Sequence, residues 1–181
     1  MGGYIFVDDE TLWVKVHLIQ DTSDDSTLEA KEECYFMTQN FLPKYYHADN
    51  GQFAENTSKQ DCKSKMQHLT FCGIGAYQQN GVSERILKDL TLSSWTLVLH
   101  AQRYWPAYIT TMLWSFALVA SADILYNLHV DMNGKTPETK ISEKIGSTNR
   151  LSNFHTFGCP VYILDAHLQI VGGGCPPKWD P

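Results

Sequence analysis

The sequence predicts an α/β domain, a mixed sheet flanked by helices and followed by a helical and short β extension, and three patterns lead there. Tyr4 to Val7 is a short apolar run and Leu12 to Ile19 alternates apolar with polar residues, with a turn-like DDET between them, which is the signature of an antiparallel hairpin. Two more short strands, Lys44 to Ala48 and Leu69 to Cys72, bracket a polar, helix-compatible stretch at 55–66. Beyond them, apolar residues recur at helical spacing for some forty positions.

Each element has a local reason. The hairpin opens the chain. The polar DTSDDS that follows supplies Asp and Ser residues suited to a helix N-cap, and Thr27 to Phe41 carries Leu28, Cys34, Tyr35 and Phe41 in a helix-compatible pattern that stops near Pro43. The third strand runs into Asp49-Asn50-Gly51, a turn-forming triplet that leaves Asp49 at the strand's carboxyl end. Residues 73–81, with their glycines and Gln-Gln-Asn, read as a loop. Val82, Ile86 and Leu90 then form one face of a helix running towards His100. Trp105-Pro106 is expected to open another, because proline suits a first helical turn, with Ile109, Leu113, Phe116, Ala117, Ala120 and Ile124 on its buried side. Residues 131–150 are polar and loop-like, Phe157 to Leu164 reads as a strand, and no internal repeat or low-complexity linker interrupts the chain.

Composition bounds the function. With 181 residues, 43% hydrophobic and 19% charged, the chain can bury the core of one ordinary domain. A net charge of −6 argues against indiscriminate coating of nucleic acid. The distribution is uneven: residues 1–33 hold nine acids and two lysines, whereas residues 44–103 hold seven Lys or Arg and five acids, so a DNA-facing surface belongs in the middle third. The five cysteines are scattered, with no CxxC pair and no Cys/His spacing of the zinc-binding kind, which points to a reduced, intracellular compartment. The amino terminus lacks the basic region of a signal peptide. The longest apolar stretch, about Met112 to Ala122, is short for a bilayer span, so a soluble protein with no membrane is expected.

Two segments carry the chemistry, YHADNGQF around Asp49 and GAYQQNGVSER around Glu84. The order strand, acid, helix, strand, loop, then acid on a helix brings two carboxylates near one another if the sheet folds as an RNase H-like layer. Two converging carboxylates repel unless a cation lies between them. A hard divalent ion, Mg²⁺ or Mn²⁺, accepts carboxylate oxygens and keeps water positions open, which suits activation of a water or a 3′-hydroxyl for attack on phosphate.

The segments HADNGQF, QQNGVSER, NGKTPE and FHTFGCPVY, in this order, resemble the copia-type retrotransposon integrases, and GGYIFVDD and CPPKW extend the likeness over nearly the whole chain. The resemblance implies an RNase H-like core over residues 1–130 and a post-core extension over 131–181 leading towards a small β-barrel. It implies DNA integration by metal-dependent strand transfer, with element ends and target DNA as partners, in a homo-oligomer acting in the nucleus. Asp49 and Glu84, with 34 residues between them, match the second and third acids of the family's Asp, Asp, Glu metal-binding triad. The first acid belongs to a strand preceding GGYIFVDD, so the fold is expected without its first strand, and the reaction is expected to be impaired. Asp8 and Asp9 match a non-catalytic pair. Lys88, one turn after Glu84, is expected to reach a DNA phosphate or to pair with that carboxylate. Arg85 lies on a neighbouring face. Asn50 holds the turn, and Gln78, Gln79 and Asn80 line the loop where the family positions DNA ends. His47 is read as a variable strand residue and Cys159 as a small buried hydrophobe. The alternative is a non-catalytic nucleic-acid-binding remnant of a retrotransposon polyprotein.

Overall fold

In a computed structural model the chain is described over residues 2–19, 23–37, 42–49, 51–73, 80–145 and 154–161. Strands β1 (Gly2–Val7) and β2 (Val14–Ile19) form the expected antiparallel hairpin, with Ile5 opposite Val16 and Val7 opposite Val14. Its turn is held by Asp8, whose Oδ2 accepts the Thr11 amide at 2.8 Å and the Thr11 hydroxyl at 2.6 Å. Leu12 takes a positive φ of 60°, a conformation such a turn imposes. Asp8 is therefore a turn residue.

Helix α1 (Asp24–Met37) starts three residues before the expected Thr27, since Ser23 sits ahead of it and its hydroxyl accepts the Ser26 amide. Strand β3 (Tyr45–Ala48), α2 (Asn56–Ser64) and β4 (His68–Phe71) follow as the sequence predicts, with a 3-10 turn (Gln52–Ala54) between β3 and α2. β3 and β4 pair in parallel, with Tyr45 opposite His68 and Ala48 opposite Phe71. Instead of the single mixed sheet the sequence predicts, the described strands make two sheets of two strands each, β1–β2 and β3–β4. One edge of each of the four strands, β1 and β3 among them, therefore lacks a ladder partner among the described strands.

Helix α1 lies across both sheets. Towards the hairpin, Tyr4 Oη meets Thr27 Oγ1 at 2.7 Å, and Glu33 pairs with Lys15 at 2.7 Å and with His17. Towards the second sheet, Tyr46 donates to Tyr35 at 3.0 Å. The turn after β3 adds a wedge, because Phe53 meets Tyr4 and Phe6 edge-to-face at 5.7 and 5.9 Å.

Helices α3 (Gly81–Tyr104) and α4 (Trp114–Leu128) close the other side of the hairpin. Ile86 and Leu90 of α3 and Leu118 and Ala122 of α4 meet Val14 and Val16 in one core cluster, while Val98, Ala101, Ile109 and Ala117 make a second, covered by Phe157. Gly158 closes on this second cluster with φ +79°, and a Cβ there would stand 2.7 Å from that of Ala101.

Five further expectations change. The helix expected from Trp105-Pro106 starts at Trp114, because residues 105–109 close a turn in which the Tyr108 and Ile109 amides both reach the Trp105 carbonyl. Phe116 is 60% exposed, because it is one residue off the buried row of Ser115, Ala117, Leu118, Ser121 and Ala122. The polar segment at 131–150 contains α5 (Pro137–Ile145), with proline at its first turn and Thr136 Oγ1 accepting the Thr139 amide at 3.1 Å. The strand expected from Phe157 is a turn at Phe157–Gly158, and residues 162–164 lie outside those described. The apolar segment is also longer than Met112 to Ala122. Thr111–Leu128 has the length and hydropathy of a membrane span, and one side of α4 packs on β2 and α3.

Leu90→Ala, at a position 1% exposed, is expected to cost about 3 kcal/mol by loss of burial and formation of a cavity. Phe116→Ser should change stability by less than about 0.5 kcal/mol. Chemical denaturation of both variants measures the difference, and equal losses would contradict the outward placement of Phe116.

Candidate metal and nucleic-acid site

Asp49 follows the last residue of β3, and its side chain is held by the turn, with Oδ1 accepting the Gly51 amide at 3.3 Å. A Cβ at Gly51 would approach that same oxygen at 3.1 Å, so glycine leaves the carboxylate its room. Asp49 is solvent-exposed.

The strand that ends on Asp49 is fixed from behind by a buried polar cluster. Lys31 of α1 is fully buried, its Nζ 2.5 Å from Asp61 Oδ2 on α2, 3.2 Å from Cys62 Sγ and 5.1 Å from the Tyr46 ring centre. Burial by itself would lower the Lys31 pKa, but Asp61, Tyr35 and Cys62 together outweigh it and leave the ammonium above its ordinary value. Burial likewise works to raise the Asp61 carboxyl, and the hydrogen bonds from Lys31 and Lys65 overcome it and hold the group low. Burial and the bond to Tyr35 push the Tyr46 phenol up. Tyr35 passes the chain on to Gln67 at 3.1 Å, and the Gln67 amide reaches the Pro43 carbonyl at 2.9 Å. Sequence reading missed this cluster, because an interior lysine looks like a surface one until its partners are known.

Glu84 stands in the first turn of α3, where the helix dipole favours a carboxylate. Ile86 and Leu90 anchor that turn in the core, so Glu84, Arg85 and Lys88 are left exposed. Among the described residues Glu84 and Lys88 form no ion pair. Asn80 precedes the helix, half-buried and without a side-chain cap bond. Asn50, Gln78 and Gln79 lie outside the described residues. Asp49 and Glu84 supply hard oxygen donors of the type Mg²⁺ accepts, a donor set of one or two carboxylates with waters being usual for that ion. No group of three His, Cys, Asp or Glu side chains stands together as a metal site among the described residues.

No protein-family profile matches the chain. Its fold is similar to that of retroviral integrase catalytic cores. The HTLV-2 integrase catalytic core domain in complex with magnesium, in its dimeric form, gives a TM-score of 0.57 at 18% identity over 77% of this chain and 83% of that one. The catalytic core of BIV integrase gives 0.55 at 20% identity over 77% and 84%. The intasome of simian T-cell lymphotropic virus, in complex with a phosphatase regulatory subunit, gives 0.60 at 16% identity over 90% and 51%. The chain thus has an integrase-core fold.

Lys31→Met is expected to cost about 3 kcal/mol, because it leaves Asp61 with one partner fewer in a buried setting, and adding Asp61→Leu should recover most of it. The pair also sets a pH dependence. The Asp61 carboxyl titrates below its unfolded value of about 3.9, so its contribution is complete above that pH and is lost as pH falls through the folded pKa. The Lys31 contribution is complete below about 10.4 and is lost as pH rises through its raised pKa. Thermal melts across pH should show a shallower acid limb in Asp61→Asn, and an unchanged limb would remove the pair from this role.

Proposed function

We propose that this chain is a copia-type integrase catalytic core whose chemistry is metal-dependent polynucleotidyl transfer on DNA. The observation that carries the reading is the integrase-core fold together with the placement of Asp49 at the end of β3 and Glu84 in the first turn of α3. Asp49 and Glu84 would hold Mg²⁺ or Mn²⁺, and the ion would supply activation of the attacking oxygen and stabilisation of the leaving one. The chain's own residues do the rest. The Gly51 amide orients the Asp49 carboxylate, the core-anchored turn presents Glu84, and Lys88 neutralises a DNA phosphate one helical turn further along. Arg85, Asn80, Asn50 and Gln79 would contact the strand around them. No covalent protein intermediate is required.

The open edges of β1 and β3 support the family's further strand, seated between the two sheets and carrying the triad's first acid. Residues 1–181 hold two of the three acids by resemblance, so this stretch alone should transfer strands poorly. A homo-oligomer is the expected working form, and the outward row Leu92, Trp95 and Leu99 on α3 supports an apolar contact between copies. The second reading is a non-catalytic nucleic-acid-binding remnant.

Strand transfer on a short DNA duplex with Mg²⁺ or Mn²⁺, by residues 1–181 with and without a preceding acid-bearing strand, tests the reading. Activity that rises with the added strand and is abolished by Asp49→Asn and by Glu84→Gln is expected. Activity indifferent to both changes would sink the assignment, and DNA binding without activity in either form would favour the remnant. Lys88→Ala should weaken DNA binding similarly across sequences and reduce the salt slope by about one.

A further inference from the structure

The exposed face of the β3–β4 sheet carries a second set of metal-ligating side chains, different in chemistry from the carboxylates. His47 on β3 and Cys72, just after β4, are 25 residues apart in sequence, yet His47 Nε2 stands 3.4 Å from Cys72 Sγ. Their approach follows from the parallel register. His47 is opposite Thr70, and the Cys72 amide continues the ladder by donating to the Ala48 carbonyl at 3.0 Å, so Thr70 and Cys72 rise on the same face as His47.

The neighbouring hydroxyl fixes which imidazole nitrogen is available. Thr70 Oγ1 donates its one hydrogen to the Tyr46 carbonyl at 3.1 Å. Towards His47 Nδ1, 2.9 Å away, it therefore accepts, which places the ring hydrogen on Nδ1 and leaves the Nε2 lone pair directed at the thiol. A histidine ligand held in this way, with its other nitrogen donating to an oxygen, is the usual arrangement at zinc centres.

We propose that His47 Nε2 and Cys72 Sγ bind a thiophilic divalent cation, Zn²⁺ in kind, with water in the remaining positions. With Zn–N of about 2.0 Å and Zn–S of about 2.3 Å, a tetrahedral angle sets nitrogen and sulfur about 3.5 Å apart. The two atoms stand 3.4 Å apart as hydrogen-bond partners, so an ion that replaces the thiol hydrogen needs little movement of either side chain. His47 is exposed and Cys72 half-exposed, so an ion can reach both without opening the core. The softness of the thiolate separates this site from the Asp49 and Glu84 pair, which suits Mg²⁺. The site is independent of the integrase reading, since it uses neither carboxylate.

Titration of the full chain with Co²⁺, a spectroscopic stand-in for Zn²⁺, tests it. A thiolate-to-cobalt charge-transfer band in the near ultraviolet and tetrahedral visible bands are expected, both discharged by added Zn²⁺. Cys72→Ser and Cys72→Ala should each remove the charge-transfer band, His47→Gln should weaken binding, and Thr70→Val should weaken it roughly tenfold through loss of the outer partner. Asp49→Asn and Cys159→Ser should keep the thiolate-to-cobalt band. Far-ultraviolet circular dichroism shows whether each variant is folded, and the two Cys72 variants give independent readings. Absence of a thiolate band in the folded chain, or its persistence in both Cys72 variants, would overturn the proposal. A cobalt signal lost with Asp49→Asn and kept with Cys72→Ser would assign the ion to the carboxylate and overturn it equally.

Discussion

A fully buried ammonium must find a carboxylate or lose its charge, and the fold around the candidate site is arranged to meet that demand for Lys31. α1 supplies the lysine, α2 the Asp61 carboxylate and β3 the Tyr46 ring, so one cation ties three elements that are separated in sequence. An apolar replacement of the pair would serve stability as well, since removing two charges from water is costly even when they meet. The ion pair adds direction: the ammonium must face Asp61 and the ring at once, which fixes the orientation of α1 over β3. The strand that ends on Asp49 inherits that orientation.

The same helix explains how a sheet in two pieces remains one structure. α1 holds the hairpin through Thr27 and Glu33 and holds the second sheet through Lys31 and Tyr35, a turn of helix apart. Backbone hydrogen bonding across the two sheets is replaced by side-chain contacts to one helix. Such contacts orient well but leave one edge of each strand without a ladder among the described residues, and an open edge is a place where another strand can pair.

Local patterns were legible where the energetics are local. The hairpin alternation, the turn at Asp49 and Gly51 and the Ile86, Leu90 row each report a preference that the nearest neighbours decide, and the structure keeps them, whereas Val82, in the first turn of α3, is exposed. Phe116 fails for an instructive reason. An apolar helix in which nearly every position could be core has no polar face to set its phase, and contacts with β2 and α3 choose the row 115, 117, 118, 121, 122. Pro106 fails because proline suits both a first helical turn and an ordinary turn. Lys31 was beyond reach, since its burial depends on Asp61 thirty residues away.

The His47 and Cys72 pair shows the same limit at the level of chemistry. Zinc motifs are recognised in sequence when both ligands lie on one turn or loop, where spacing fixes distance. Parallel strands separate sequence from space: the crossover through α2 can be of any length, and only the register decides that His47 faces Thr70 and that Cys72 comes next. Parallel pairing also directs both strands' carboxyl ends the same way, so side chains just beyond them collect on one rim. Asp49 and Cys72 both lie on that rim, one a hard donor and one a soft donor. The register of β3 with β4 therefore sets where Asp49, His47 and Cys72 stand, while Glu84 depends on α3.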